Sequence, residues 1–144
     1  MNAPWAGHWH GFGPWAGPRE EFAKEHLRRP STDPTQHREF LTNTMTPTQL
    51  GASLLRVQQA SAERTWTDVD AALDWFATTW KSNPPGGDVL TLEDRLAYSR
   101  DSLLRGSDIC AGYYTPGFTF VSYSIVCCPN PVFFPDVSCP RPPR

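Results

Sequence analysis

The run DICAGYYTPGFTFVSYSIVCC, residues 108–128, decides the fold of this 144-residue chain. Two β-rich segments flank Thr115-Pro116-Gly117. Proline presets a negative φ and glycine permits a positive one, so the pair suits the centre of a type II turn, with a longer bulged loop as the alternative. In the second segment Val121, Tyr123, Ile125 and Cys127 fall on one face. Phe120, Ser122, Ser124 and Val126 fall on the other, a period of two that predicts a strand. Pro129 and Pro131 end it, because proline cannot donate to a ladder. With Pro116 and Gly117 central, Cys110 would face Tyr123. Cys110 would then lie ~13 Å along the strand from the point opposite Cys127, too far for a disulfide within this hairpin.

Upstream of the hairpin the pattern is helical. Trp66, Val69, Leu73, Phe76 and Trp80 form one stripe at helical spacing, with Thr67 as cap, and Asn83-Pro84-Pro85-Gly86-Gly87 ends the helix. A further helix is expected from Leu92 to Arg105, capped by Thr91 and stopped by Gly106. Before both, order is expected to begin at Met45: Thr46-Pro47-Thr48-Gln49 resembles a capping box with Pro47 at the first helical position, and Leu50, Leu54 and Val57 suggest a helix to about Ala62. A short strand at residues 132–134 is a further expectation.

The remaining chain reads as irregular. PWAG occurs at residues 4–7 and again at 14–17, with HWHGFG between, and this density of glycine and proline argues against regular structure. A short helix is expected at 18–29 and a polar linker at 30–44. The expected organisation is therefore a flexible arm and linker (1–44), an α+β domain (45–134) of about three helices followed by a C-terminal antiparallel hairpin or small sheet, and a proline-rich tail (135–144).

Composition narrows the function. The formal net charge of −2 offers no field for nucleic acid or anionic membrane. Aromatic strands can stack bases, but no lysine or arginine lies between Gly106 and Pro140 to supply the cationic part of such binding. No apolar run approaches the ~20 residues of a membrane span, and the N-terminus lacks the features of a secretory signal. A cytoplasmic location, with cysteines as thiols, is the resulting expectation. Eleven arginines against two lysines suggest a GC-rich bacterial genome.

Candidate sites are sparse. The tryptophans Trp5, Trp9 and Trp15, with Tyr113 and Tyr114, are the candidates for binding a protein partner. The cysteines are spaced C-x16-C-C-x10-C, unlike the close pairs of most structural zinc sites. Cys127, Cys128 and Cys139 are kept as an alternative metal site, and Cys128 with Cys139 as a redox-sensitive pair. His8 and His10 read as a solvated pair. For nucleophilic catalysis, all four histidines precede the expected core, so a catalytic Cys–His pair would require the amino-terminal arm to fold over the domain, and nothing in the sequence asks for that. Asp68, Asp70 and Asp74 suit the positive end of a helix dipole better than a magnesium site. No phosphate-cradling or dinucleotide motif occurs. These observations favour a non-enzymatic interaction module of unknown partner without a cofactor. A metal-binding or redox-sensitive regulator comes second, and an enzyme of unidentified class third.

Overall fold

The computed structural model describes residues 4–87, 90–131 and 134–143, and its centre is a four-stranded antiparallel sheet in the order β2-β1-β4-β3. The strands are β1 (His8–Gly17), β2 (Thr65–Trp66), β3 (Ile109–Tyr114) and β4 (Phe120–Cys128). The expected hairpin is present, but its register differs by one: Cys110 faces Ser124 and Ala111 faces Tyr123. The turn explains the shift. Thr115 donates to the carbonyl of Thr119, and Phe118 adopts φ 64°, so the loop has three residues with the last one left-handed. This is the bulged alternative, which matches strand twist better than a type II turn.

The fold is mixed α and β, yet a strand, not a helix, comes first. The amino-terminal stretch expected to be a flexible arm forms β1, the inner neighbour of β4, running from His8↔Cys128 to Gly17↔Phe120. Its glycines serve strand packing instead of breaking it. A Cβ on Gly11 would meet the ring of Trp66 at 2.8 Å and that of Trp75 at 3.0 Å, so glycine lets two indoles lie against the strand. Gly13 has φ +94°, and the register shifts between Phe12 and Trp15 around it and Pro14. Such a bulge admits a residue that cannot donate to the ladder.

Both faces of the sheet are covered. On one lie α3 (Val69–Ser82) and α4 (Leu92–Leu104), close to their expected bounds. Thr91 caps α4 as expected, whereas Asp68, not Thr67, caps α3. Val69, Leu73, Phe76 and Leu103 pack there against Trp9, Ile109, Tyr113, Tyr123, Ile125 and Cys127. Trp66 itself stands in β2, beside the helix stripe.

The opposite face is covered by chain that the sequence misplaces. The helix expected from Pro47 to about Ala62 is instead a series of short 3-10 turns at Leu50–Leu55, Val57–Gln59 and Ala62–Arg64. They bury Leu54 and Ala60 beside Phe12, Val126 and Cys128. The chain leaves helical geometry at Arg56, whose guanidinium turns inward to the carbonyls of Phe40 (2.8 Å) and Met45 (2.6 Å) and lies over the Phe40 ring. Burial, and then Arg28, lowers the Arg56 pKa to about 10. This anchoring also orders the expected linker, which contains α2 (Pro34–Thr42). The short amino-terminal helix reduces to α1 (Arg19–Phe22) and a 3-10 turn at Glu25–Arg28. The strand expected at 132–134 falls largely outside the described residues. No helix among the described residues is long and apolar enough to cross a membrane.

Candidate metal centre

Strand periodicity assembles the site. Side chains at i and i+2 of a strand share a face, so His8 and His10 point the same way. His8 lies opposite Cys128, and His10 opposite Val126, in the β1–β4 ladder. The face carrying His8, His10 and Phe12 is therefore also the face of Cys128 and Val126, turned away from the helices. Trp9 and Cys127, opposite each other, point to the helices. The chain beyond β4 then returns across the 3-10 side and brings Cys139 against the same spot.

The result is a cluster of two imidazoles and two thiols, His8, His10, Cys128 and Cys139, whose ligand atoms all lie within 4.8 Å of one another. His8 Nε2 is 3.0 Å from His10 Nε2 and 3.3 Å from Cys139 Sγ. Cys139 Sγ is 3.6 Å from His10 Nε2. A tetrahedral zinc with Zn–N about 2.0–2.1 Å and Zn–S about 2.3 Å requires edges of about 3.3 Å between nitrogens and about 3.6 Å between nitrogen and sulfur. The three separations among His8, His10 and Cys139 fit those edges to within a few tenths of an ångström, and Cys128 Sγ lies within 4.8 Å of all three.

A hydrogen-bond chain behind the site sets the tautomer of His10. Thr65 Oγ1 donates to the carbonyl of Ser61 at 2.7 Å, which uses its only proton. It must therefore accept from His10 Nδ1–H, 2.9 Å away. The proton thus sits on Nδ1, and the Nε2 lone pair faces the cluster, the arrangement that metal-binding histidines use. β2 exists at this point to put Thr65 opposite His10 in register.

Burial tunes His8, His10 and Cys128 toward neutrality. His10 is fully buried, and desolvation, then the neighbouring His8, lowers its pKa to about 4. Desolvation lowers that of His8 as well. The Cys128 thiol is pushed up to about 12 by burial first and by Cys139 second. Cys139 is only half-buried. All four cysteines are thiols, and Cys110 is exposed on β3.

Of the three cysteines in the expected metal set, Cys128 and Cys139 lie in the cluster. Cys127 does not, because it lies among the helix-facing core residues, where burial and the nearby Asp108 raise its pKa. The expectation of a solvated histidine pair is also corrected: β1 carries both rings into the cluster. The aspartates of α3 form no ligand group among the described residues, and Asp70 pairs instead with Arg100 at 3.0 Å.

The candidate partner-binding residues separate. Trp9 and Tyr113 are core residues, with Trp9 Nε1 donating to the carbonyl of Leu103. Trp5 leans on Trp9 and donates to the Pro129 carbonyl, and Trp15 packs on Phe22. Of the five, only Tyr114 is exposed, at 44%, and its ring meets that of Phe120 edge-on at 5.3 Å. Comparison with protein-family models, curated proteins and solved structures yields no match to this chain.

Proposed function

We propose that this protein binds one zinc ion through His8, His10, Cys128 and Cys139, and that the metal is structural. The observation that carries the reading is the convergence of four ligand atoms within 4.8 Å, from a strand pair and a tail far apart in sequence. Two nitrogens and two sulfurs in a tetrahedron suit zinc over magnesium or calcium, which prefer oxygen. Four protein donors complete the shell and leave no position for a water or substrate, which marks a structural site and not a hydrolytic one. The ion would fasten the carboxy-terminal tail to the sheet, over a face otherwise covered by short 3-10 turns. Elemental analysis of protein purified without an affinity tag tests this. About one zinc per chain, lost on His10→Ala and on Cys139→Ser, supports the reading, and absence of zinc even after loading and desalting contradicts it.

One observation favours a second reading, a protein-interaction module. Phe118 at the hairpin turn is 85% exposed and lines one shallow depression with Tyr114. On this reading the partner contacts the hairpin tip and not the amino-terminal tryptophans. Loss of partner capture on Phe118→Ser with unchanged melting temperature supports it, and unchanged capture removes it.

A further inference from the structure

We infer that the same centre is an oxidation-controlled clasp: a hydroperoxide converts Cys128 and Cys139 to a disulfide and expels the zinc. The inference rests on the zinc reading above and concerns its regulation.

The two sulfurs are unequal in access. Cys128 is 2% exposed beneath Phe12 and Leu54, whereas Cys139 sits half-buried on the tail. An oxidant therefore meets Cys139 first. The second sulfur is already within 4.8 Å, so it can resolve the product without a large movement of the sheet. In a tetrahedral site the sulfurs stand about 3.8 Å apart, against about 2.05 Å in a disulfide. Within the tail that must close this gap, the Val137 N to Phe134 carbonyl bond is a local turn bond and does not tie the tail to the sheet. The other cysteines are placed badly for this chemistry: Cys127 faces the helices, and Cys110 lies on β3, across β4 from β1.

The steps balance as follows. Zinc keeps both thiols deprotonated. The Cys139 thiolate attacks the distal oxygen of the hydroperoxide, the O–O bond breaks, and the departing alkoxide or hydroxide takes a proton from solvent. Cys139 is then a sulfenic acid. The Cys128 thiolate attacks that sulfur, forming the S–S bond and expelling hydroxide, which is protonated to water. Two thiolates are oxidised by two electrons, one peroxide is reduced, and two protons are consumed. The zinc has then lost both anionic ligands and keeps only two neutral imidazoles, which hold it weakly. A dithiol or phosphine reductant reverses the change.

The experiment titrates zinc-loaded, untagged full-length protein with hydrogen peroxide in the presence of a chromogenic zinc chelator. Disulfides are located by peptide mass mapping. The expected result is one zinc released per peroxide consumed, loss of two of the four thiols, a Cys128–Cys139 link, and recovery of zinc binding after reduction. Cys110→Ser is expected to behave like the wild type. Zinc retained through several equivalents of peroxide overturns the inference while leaving the zinc reading intact. So does zinc released with Cys128 and Cys139 unlinked. Protein that holds no zinc at the start overturns both.

Discussion

His8 stands directly opposite Cys128 in the β1–β4 ladder, with Trp9 opposite Cys127 one step further along. Parity along β4 therefore separates two adjacent cysteines into different chemistry. Cys128→Ser should abolish stoichiometric zinc binding. Cys127→Ser should retain it while lowering stability, because a hydroxyl replaces a thiol within the apolar helix-facing cluster. Zinc content of the two purified variants checks this, and zinc lost from Cys127→Ser but kept by Cys128→Ser would reverse the assignment.

On the zinc reading, Thr65 acts on the metal through His10. Thr65→Val keeps the shape but removes the acceptor for His10 Nδ1–H, and loss of such a supporting bond weakens metal affinity by about 10–100-fold. Thr65→Ser restores the hydroxyl and should bind zinc nearly as the wild type does. Competition against a chelator of known affinity measures both. Equal affinity for the valine and serine variants would show that the ring is held by packing alone.

Removing the metal should loosen one side of the protein. The helix-facing core around Phe76 and Tyr123 has no ligand in it, whereas Cys139 and Val137 lie on the metal side. Chelation should therefore lower the melting temperature and raise hydrogen exchange in residues 134–140, with α3 little changed. At a ligand concentration a thousandfold above Kd, bound metal contributes about 4 kcal/mol. Exchange that rises uniformly through α3 as well would mean that the sheet itself depends on zinc.

Phe76 and Trp75 test the helix-facing core independently of the metal. Phe76 is fully buried and rests on Tyr123 with ring centroids 5.1 Å apart, while Trp75 is partly exposed beside Trp66. Phe76→Ala should cost ~3–5 kcal/mol, and Trp75→Ala less. With total stability of about 5–15 kcal/mol, the first variant should unfold at much lower denaturant concentration. A larger loss from Trp75→Ala would contradict the packing described.

The hairpin, α3 and α4 were legible because their periodicity is local and strong. β1 was not, because Gly7, Gly11, Gly13 and Pro14 resemble breakers until the groups that approach them are known. Trp66 and Trp75 fill the space that Gly11 leaves, and the bulge at Gly13 accommodates Pro14. Beneath the glycines the alternation was present: His8, His10 and Phe12 on one side, Trp9 and Gly11 on the other. The 3-10 segment was misread because Leu50, Leu54 and Val57 recur at helical spacing, while the inward pull on Arg56 comes from carbonyls at positions 40 and 45. The candidate metal site is half visible in the sequence. Cys128 and Cys139 were candidates, but the histidines joined them only through the β1–β4 pairing, a relation across more than a hundred residues that no local motif encodes.

X-ray absorption at the zinc edge of the loaded protein tests the central claim most directly. Two sulfurs at about 2.3 Å and two imidazole nitrogens at about 2.0–2.1 Å are predicted, with no further light ligand. A shell made only of nitrogen and oxygen, or one with three or more sulfurs, would contradict the assignment of His8, His10, Cys128 and Cys139.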